Sequence, residues 1–245
     1  MALTLNCDLG ESFGSWKMGL DEAVMPHIHQ ANIACGFHAG DAIIMQKTLA
    51  LAKANGVSIG AHPAYPDLQG FGRRSMNCSH DEIVAYVQYQ IGALEGMAKT
   101  MGVSLDYVKP HGALYNDMMA NDAVRAAVME AVATHYSKPN LMLQAVPENE
   151  LHRNEAEKLG LSLHFEAFAD RCYDDDGKLL SRTKAGAVHT REKMISQVKQ
   201  LCDTGTVTTV SGNTLPLLAD TLCVHGDNEE GVKAITEIRA LIDAS

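Results

Sequence analysis

Four histidines in this chain share a local grammar. Each ends a short apolar run and stands beside a small residue or proline. They lie in Asn32-Ile33-Ala34-Cys35-Gly36-Phe37-His38-Ala39-Gly40-Asp41, in Gly60-Ala61-His62-Pro63, in Lys109-Pro110-His111-Gly112-Ala113 and in Cys223-Val224-His225-Gly226-Asp227. Charged residues take the same kind of place: Asp8 and Glu11 after the first apolar run, Lys109 after another, Asp170 and Arg171 after a third. Asp67, Arg73 and Arg74 sit on a long loop that could fold over them. Carboxylates beside imidazoles suit general acid–base work, because each shifts the other's pKa and a carboxylate lifts a nearby imidazole toward neutrality. The same set could hold a metal, with Asp8, His38 and His62 as ligands and Asp41 or Glu11 nearby. HExxH, paired CxxC and a Walker-type GxxxxGK[ST] are all absent, so no short motif decides between these chemistries.

Plainer readings stand beside the catalytic one. A lone His after a strand is more often a loop or capping residue. Asp41 and Asp227 occupy positions where a helix N-cap belongs, and Glu230 would complete a capping box with Asp227. Arg73-Arg74 reads equally as a solvated pair, and Cys35 and Cys223 as core thiols. Four histidines on one rim outweigh the plain reading taken one residue at a time. Lys109 precedes Pro110, which restricts its backbone and so fixes its direction.

The elements that must carry these residues alternate. Strands are expected at 3–7, 30–35, 57–61, 105–108, 140–146, 161–168 and 221–224. Helices are expected at 42–55, from Ser79 to about Met101, over 120–135, 149–159, 190–202 and 229–243. Asp41 caps the first helix and Gly56 stops it. Ser79 with Glu82 forms a capping box. The loop from Pro63 to Arg74 is long for an unstructured connection, which points to function. Residues 177–188 read as an inserted excursion after the turn Asp174-Asp175-Asp176-Gly177, and 207–210 with 214–217 as a small hairpin. About seven strand–helix units in one domain over 1–245 argue a parallel α/β fold. A distorted seven-stranded β/α barrel and an open doubly wound sheet both fit. In either, ligands bind at the C-terminal ends of the strands, where the reactive residues gather.

Composition narrows the classes. The chain of 245 residues is 46% hydrophobic, enough for one large core. Its formal charge of -10 disfavours nucleic acid as a partner. The start lacks the basic and apolar regions of a secretory signal, and no apolar run reaches the ~18–20 residues of a membrane span. Six scattered cysteines read as reduced thiols of a cytoplasmic protein.

Seven stretches, LNCDLGESFGSW, ANIACGFHAGD, GAHPAYPDLQGFGRR, YQIGAL, VKPHGALYN, EAFADR and CVHGD, run in order along nearly the whole chain. In these the chain resembles the LamB/YcsF family. The resemblance implies a seven-stranded β/α barrel of the glycoside hydrolase/deacetylase type. It also implies ATP-dependent opening of 5-oxo-L-proline to L-glutamate, a 5-oxoprolinase activity performed with partner subunits B and C, with ATP as co-substrate and Mg accompanying it. On that reading Asp8, Glu11, His38, His62, Lys109 and His111 are catalytic. Asn32, Asp41, Arg73, Arg74, Asp170, Arg171, His225 and Asp227 bind substrate or phosphate. Residues 177–190 are least family-like, and nothing is carried onto them. Two readings of other classes stay open: a metal-dependent deacetylase or amidohydrolase acting on a sugar or amide, and a non-catalytic regulatory subunit that binds a small acid.

Overall fold

A computed structural model describes residues 3–181, 184–225 and 229–244, with only the backbone of 229–231. Asp227 lies outside the described residues. Seven parallel strands close into a barrel: β1 (Thr4–Leu9), β2 (Gln30–Ala34), β3 (Ser58–His62), β4 (Tyr107–Val108), β5 (Asn140–Gln144), β6 (Leu163–Phe168) and, last in the chain, Thr221–Cys223, which pairs with both β6 and β1. The barrel is therefore closed, and the open-sheet alternative falls. Between β6 and the closing strand lies the expected hairpin, β7 (Thr206–Thr208) and β8 (Thr214–Pro216), antiparallel and outside the barrel. The closing strand is accordingly β9.

The helices form where the caps direct. A short α1 (Asp21–Val24) precedes β2. Helix α2 (Ala42–Asn55) starts at Asp41, whose carboxylate accepts from the Ile43 and Ile44 amides, and stops at Gly56 in the left-handed conformation. Helix α3 (His80–Thr100) carries the full Ser79/Glu82 capping box. Further on come α6 (Asn149–Glu157), α7 (Arg191–Thr204) and α8 (Glu229–Asp243). No described helix is long and apolar enough to cross a membrane.

Two expectations are corrected. The helix expected over 120–135 is α5 (Asp122–Ala133), but a further helix, α4 (Gly112–Ala120), precedes it where a loop was expected. Asn121 separates them: its backbone is extended, and its side chain accepts from the Ala123 amide at 2.9 Å. Helix α4 thus begins one residue after His111, directly behind β4. The first strand also runs two residues past the expected end, which puts Asp8 inside it.

Strand registry makes the barrel interior polar. Asp8 aligns with Asn32, Asn32 with Gly60 and Gly60 with Tyr107. One level down, Asn6 aligns with Gln30 and Cys223, and Thr221 with Thr4 and Glu166. Barrel interiors are usually layers of branched apolar side chains. Here the buried Thr221 hydroxyl donates to Gln30 Oε1 at 2.7 Å and Asn6 Nδ2 donates to the Thr221 hydroxyl at 3.1 Å. Each polar group needs such a partner, because burying it unpaired costs about 1–3 kcal/mol.

Candidate active site

A cleft of about 880 Å³ opens at the C-terminal ends of the strands. Its floor is a bond network centred on Lys109, the residue that follows β4. The Lys109 ammonium is buried and donates to Asp8 Oδ1 at 3.1 Å and to Asn6 Oδ1 at 3.2 Å; Glu166 Oε2 is 3.0 Å away. Asn32 Nδ2 donates to Asn6 Oδ1 and to Asp8 Oδ1, each at 2.8 Å, and the Tyr107 hydroxyl donates to Asn32 Oδ1 at 2.7 Å. One cation between two carboxylates is the condition under which buried charge is tolerated. Burial alone would lower the Lys109 pKa, but Asp8, Cys223 and Glu166 raise it well above the usual lysine range. Burial likewise opposes ionisation of Asp8. His62 and Lys109 together overcome it and hold the carboxyl well below its usual range. Asp8 is an anion with Oδ1 engaged and Oδ2 directed to the imidazoles, 3.4 Å from His62 Nε2.

The second group is built from three imidazoles and Glu11. His62 ends β3, His111 precedes α4, and His38 sits in the β2–α2 loop. The His38 and His111 rings stack at 3.8 Å with 4° between their planes. His62 meets both edge-on, with centroids 5.5 and 4.8 Å away. Burial, then the neighbouring rings, push His38 and His111 well below the ordinary histidine range, so both are neutral. Burial and the Asp8 charge raise the Glu11 pKa. The ligand atoms of Glu11, His38, His62 and His111 all lie within 4.8 Å of one another. Asp8, expected as a ligand, is not in this quartet.

The third group is a dyad. His225 Nδ1 is 2.7 Å from Asp170 Oδ2, and its Nε2 looks back to Asp8 Oδ2 at 3.9 Å. Burial disfavours the imidazolium, but the Asp170 carboxylate outweighs it and lifts the His225 pKa to about 9. The dyad is a proton donor at neutral pH.

The loop from Pro63 to Arg74 folds over the site. Gln90 of α3 clamps its start, accepting from the Ala64 amide and donating to the Ala64 carbonyl, both at 2.9 Å. Phe71 holds a positive φ of 54°, a conformation costing a non-glycine residue about 1–3 kcal/mol. That turn aims its carbonyl at His111 Nε2, 2.9 Å away, and its ring edge-on to His38 and His111. The paired arginines separate here. Arg73 lines the cleft above the Phe71 ring, while Arg74 is committed to Asp67.

Other expected residues divide similarly. Arg171 lines the cleft and donates to the Leu180 carbonyl at 2.7 Å. Asp41 is the α2 cap, also accepting from the Gly14 amide at 2.7 Å, and does not line the cleft. Asn32 lies beneath Asp8 and orients it. Glu166, Asn6 and Tyr107 escaped sequence reasoning. Glu166 had a signal: it is a lone carboxylate in the apolar strand Leu163-His164-Phe165-Glu166-Ala167-Phe168, and such a residue needs a buried cation. Lys178, on the least family-like excursion, also reaches the cleft wall.

The family model for the LamB/YcsF family matches residues 3–245. The chain is 54% identical to a 5-oxoprolinase A subunit of Pseudomonas putida, over 98% of this chain and 94% of that protein. It is 55% identical to the 5-oxoprolinase A subunit of Vibrio parahaemolyticus, over 97% and 94%. The crystal structure of the lactam utilization protein from Thermus thermophilus superposes with a TM-score of 0.91 at 36% identity, covering 100% of this chain and 97% of the other. On fold, motifs and these similarities, the chain belongs to the LamB/YcsF family.

Proposed function

We infer that this chain is one component of a 5-oxoprolinase, and that it hydrolyses the cyclic amide of 5-oxo-L-proline to give L-glutamate. One observation carries the reading. An anionic carboxylate, Asp8, and a protonated imidazole, His225, face each other across one cleft, in a chain more than half identical to proteins named as the A subunit of 5-oxoprolinase. Ring opening needs that pair. Water adds to the lactam carbonyl carbon and passes a proton to Asp8 Oδ2. The C–N bond then breaks, and the ring nitrogen takes a proton from His225 Nε2. Asp170 stabilises the imidazolium and fixes its direction. Lys109 keeps Asp8 ionised from below, and Arg73 at the rim suits the substrate carboxylate.

A five-membered lactam is an unreactive amide, and its own amine recaptures the acyl group at high effective molarity. Coupling to ATP therefore supplies drive, by phosphorylating the lactam oxygen; opening of that adduct leaves the new carboxyl as an acyl phosphate, which a second water hydrolyses to glutamate and phosphate. The cleft lies within the ~300–1,000 Å³ of ligand pockets and has room for a phosphorylated lactam. Partner subunits B and C carry out the activation, with Mg on the nucleotide. The test is a coupled assay of glutamate and ADP with this chain, its partners, 5-oxo-L-proline and ATP. Equal formation of both is expected. ADP without glutamate, or neither product in the full mixture, would refute the reading.

A further inference from the structure

Hydrogen bonding fixes which nitrogen of two buried imidazoles carries the proton. His62 Nδ1 is 2.7 Å from the Lys109 carbonyl oxygen, and His111 Nε2 is 2.9 Å from the Phe71 carbonyl oxygen. A carbonyl only accepts, so both of those nitrogens donate. In the neutral rings, His62 Nε2 and His111 Nδ1 are then bare lone pairs, and they face each other at 2.9 Å. Glu11 Oε1 stands 3.7 Å from His111 Nδ1 and 3.4 Å from His38 Nε2. Glu11 Oε1 and both nitrogens of His38 are buried and have no hydrogen-bond partner among the described residues. Two imidazole lone pairs and a carboxylate oxygen converge beside His38, whose own tautomer no hydrogen bond fixes. Such a cluster is repulsive as it stands and becomes favourable around a cation.

We propose that Glu11, His38, His62 and His111 form a binding site for a divalent cation of the Zn²⁺ class. The spacing fits. A tetrahedral ion with bonds of about 2.0–2.1 Å separates its ligands by about 3.3 Å; three of the six edges are 2.9, 3.4 and 3.7 Å, and all lie within 4.8 Å. The ligand type fits as well: three imidazoles and one carboxylate select zinc and its transition-metal neighbours over the all-oxygen shells of Mg²⁺ and Ca²⁺. So does the surrounding shell. Metal-bound histidines donate their second ring N–H to a carbonyl or carboxylate, and His62 and His111 both do so. An ion here would polarise a carbonyl or acidify a water beside Asp8 Oδ2.

Metal uptake can be tested without any substrate, so its outcome is separate from that of the lactam reading. The full chain is stripped with a chelator and dialysed against Zn²⁺ or Co²⁺, and the metal is counted by mass spectrometry. Stoichiometric uptake, one ion per chain, is expected. Co²⁺ should give the intense visible bands of a low-coordinate nitrogen–oxygen site, and Zn²⁺ should displace it. His38→Asn and Glu11→Gln, checked for fold by circular dichroism, should each weaken binding at least about 10–100-fold, as even losses outside the ligand shell do. Where a variant does not fold, stoichiometry and the Co²⁺ spectrum of the unaltered chain decide. Substoichiometric uptake would mean the two imidazoles share only a proton, and uptake unaffected by both variants would place the ion elsewhere; either overturns the site.

Discussion

Asp8 carries the sharpest consequence at the level of single residues. Its Oδ1 is held by Lys109 and Asn32, which leaves Oδ2 to work in the cleft. Asp8→Asn keeps the volume and removes the negative charge. It should lower 5-oxoproline-dependent turnover by about 10²–10⁴-fold, with an unchanged circular dichroism spectrum. A rate within a few-fold of the unaltered protein would assign Asp8 a structural role. His225 gives a pH signature. The folded protein holds its proton up to about pH 9, against about 6.5 for a free imidazole. A raised pKa stabilises the fold in full below about pH 6.5, and that contribution fades as pH climbs through about 9. The melting temperature of the unaltered protein should therefore exceed that of His225→Gln at pH 6 by a margin that shrinks toward about pH 10. A margin constant across that range would show that the Asp170 pairing does not hold the proton.

Secondary-structure elements position these residues through contacts that leave little slack. Gly60 on β3 shows it: a Cβ there would lie 2.2 Å from Cε2 and from Cζ of Tyr107 on β4. The ring passes over that glycine so that its hydroxyl can reach Asn32, which in turn orients Asp8. Gly60→Ala must push Tyr107 aside. Overpacking of this kind costs about 1–3 kcal/mol, readable as a lower denaturation midpoint, and turnover should fall with it. Unchanged stability and rate would show the ring to be mobile. The sequence announced most of this architecture. Apolar runs ending in His-Gly or His-Pro placed the strand ends, and Asp41, Gly56 and Ser79/Glu82 marked helix ends by local hydrogen bonding alone. What stayed hidden depends on registry. Asn6 and Glu166 meet Lys109 only because the closed barrel brings β1, β4 and β6 around one axis, and single-strand periodicity does not encode which strands are neighbours. The Lys109-Pro110-His111-Gly112 run concealed α4, since proline and glycine there resemble a loop rather than the entry to a helix. That His111 joins Glu11, His38 and His62 was hidden likewise, because it follows from β3 and β4 lying side by side.

At the scale of the whole molecule, the charge around the cleft bears on how labour is divided among subunits. Its wall includes Asp8, Glu11, Asp122, Glu148 and Asp176 on one side of the balance, and Arg73, Lys109, Arg125, Arg171 and Lys178 on the other. Five carboxylates against five cations leave no surplus before the histidines are counted. Several of the cations are already engaged: Lys109 by Asp8 and Glu166, and Arg125 by Glu155 and Asp122. A triphosphate entering here would meet little uncommitted positive charge, whereas phosphoryl transfer depends on cations gathered around the moving group. The sequence has no Walker-type loop to supply backbone donors instead. A small substrate with a single carboxylate, or with one added phosphoryl group, is better matched to Arg73 and Lys178. The chain purified from a host lacking its partners should therefore release little or no ADP when given ATP and 5-oxo-L-proline, and calorimetry should detect no tight ATP binding. Adding subunits B and C should restore ADP and glutamate in equal amounts. ADP formation by the isolated chain at the rate of the reconstituted mixture would overturn this division and put the nucleotide on the barrel itself.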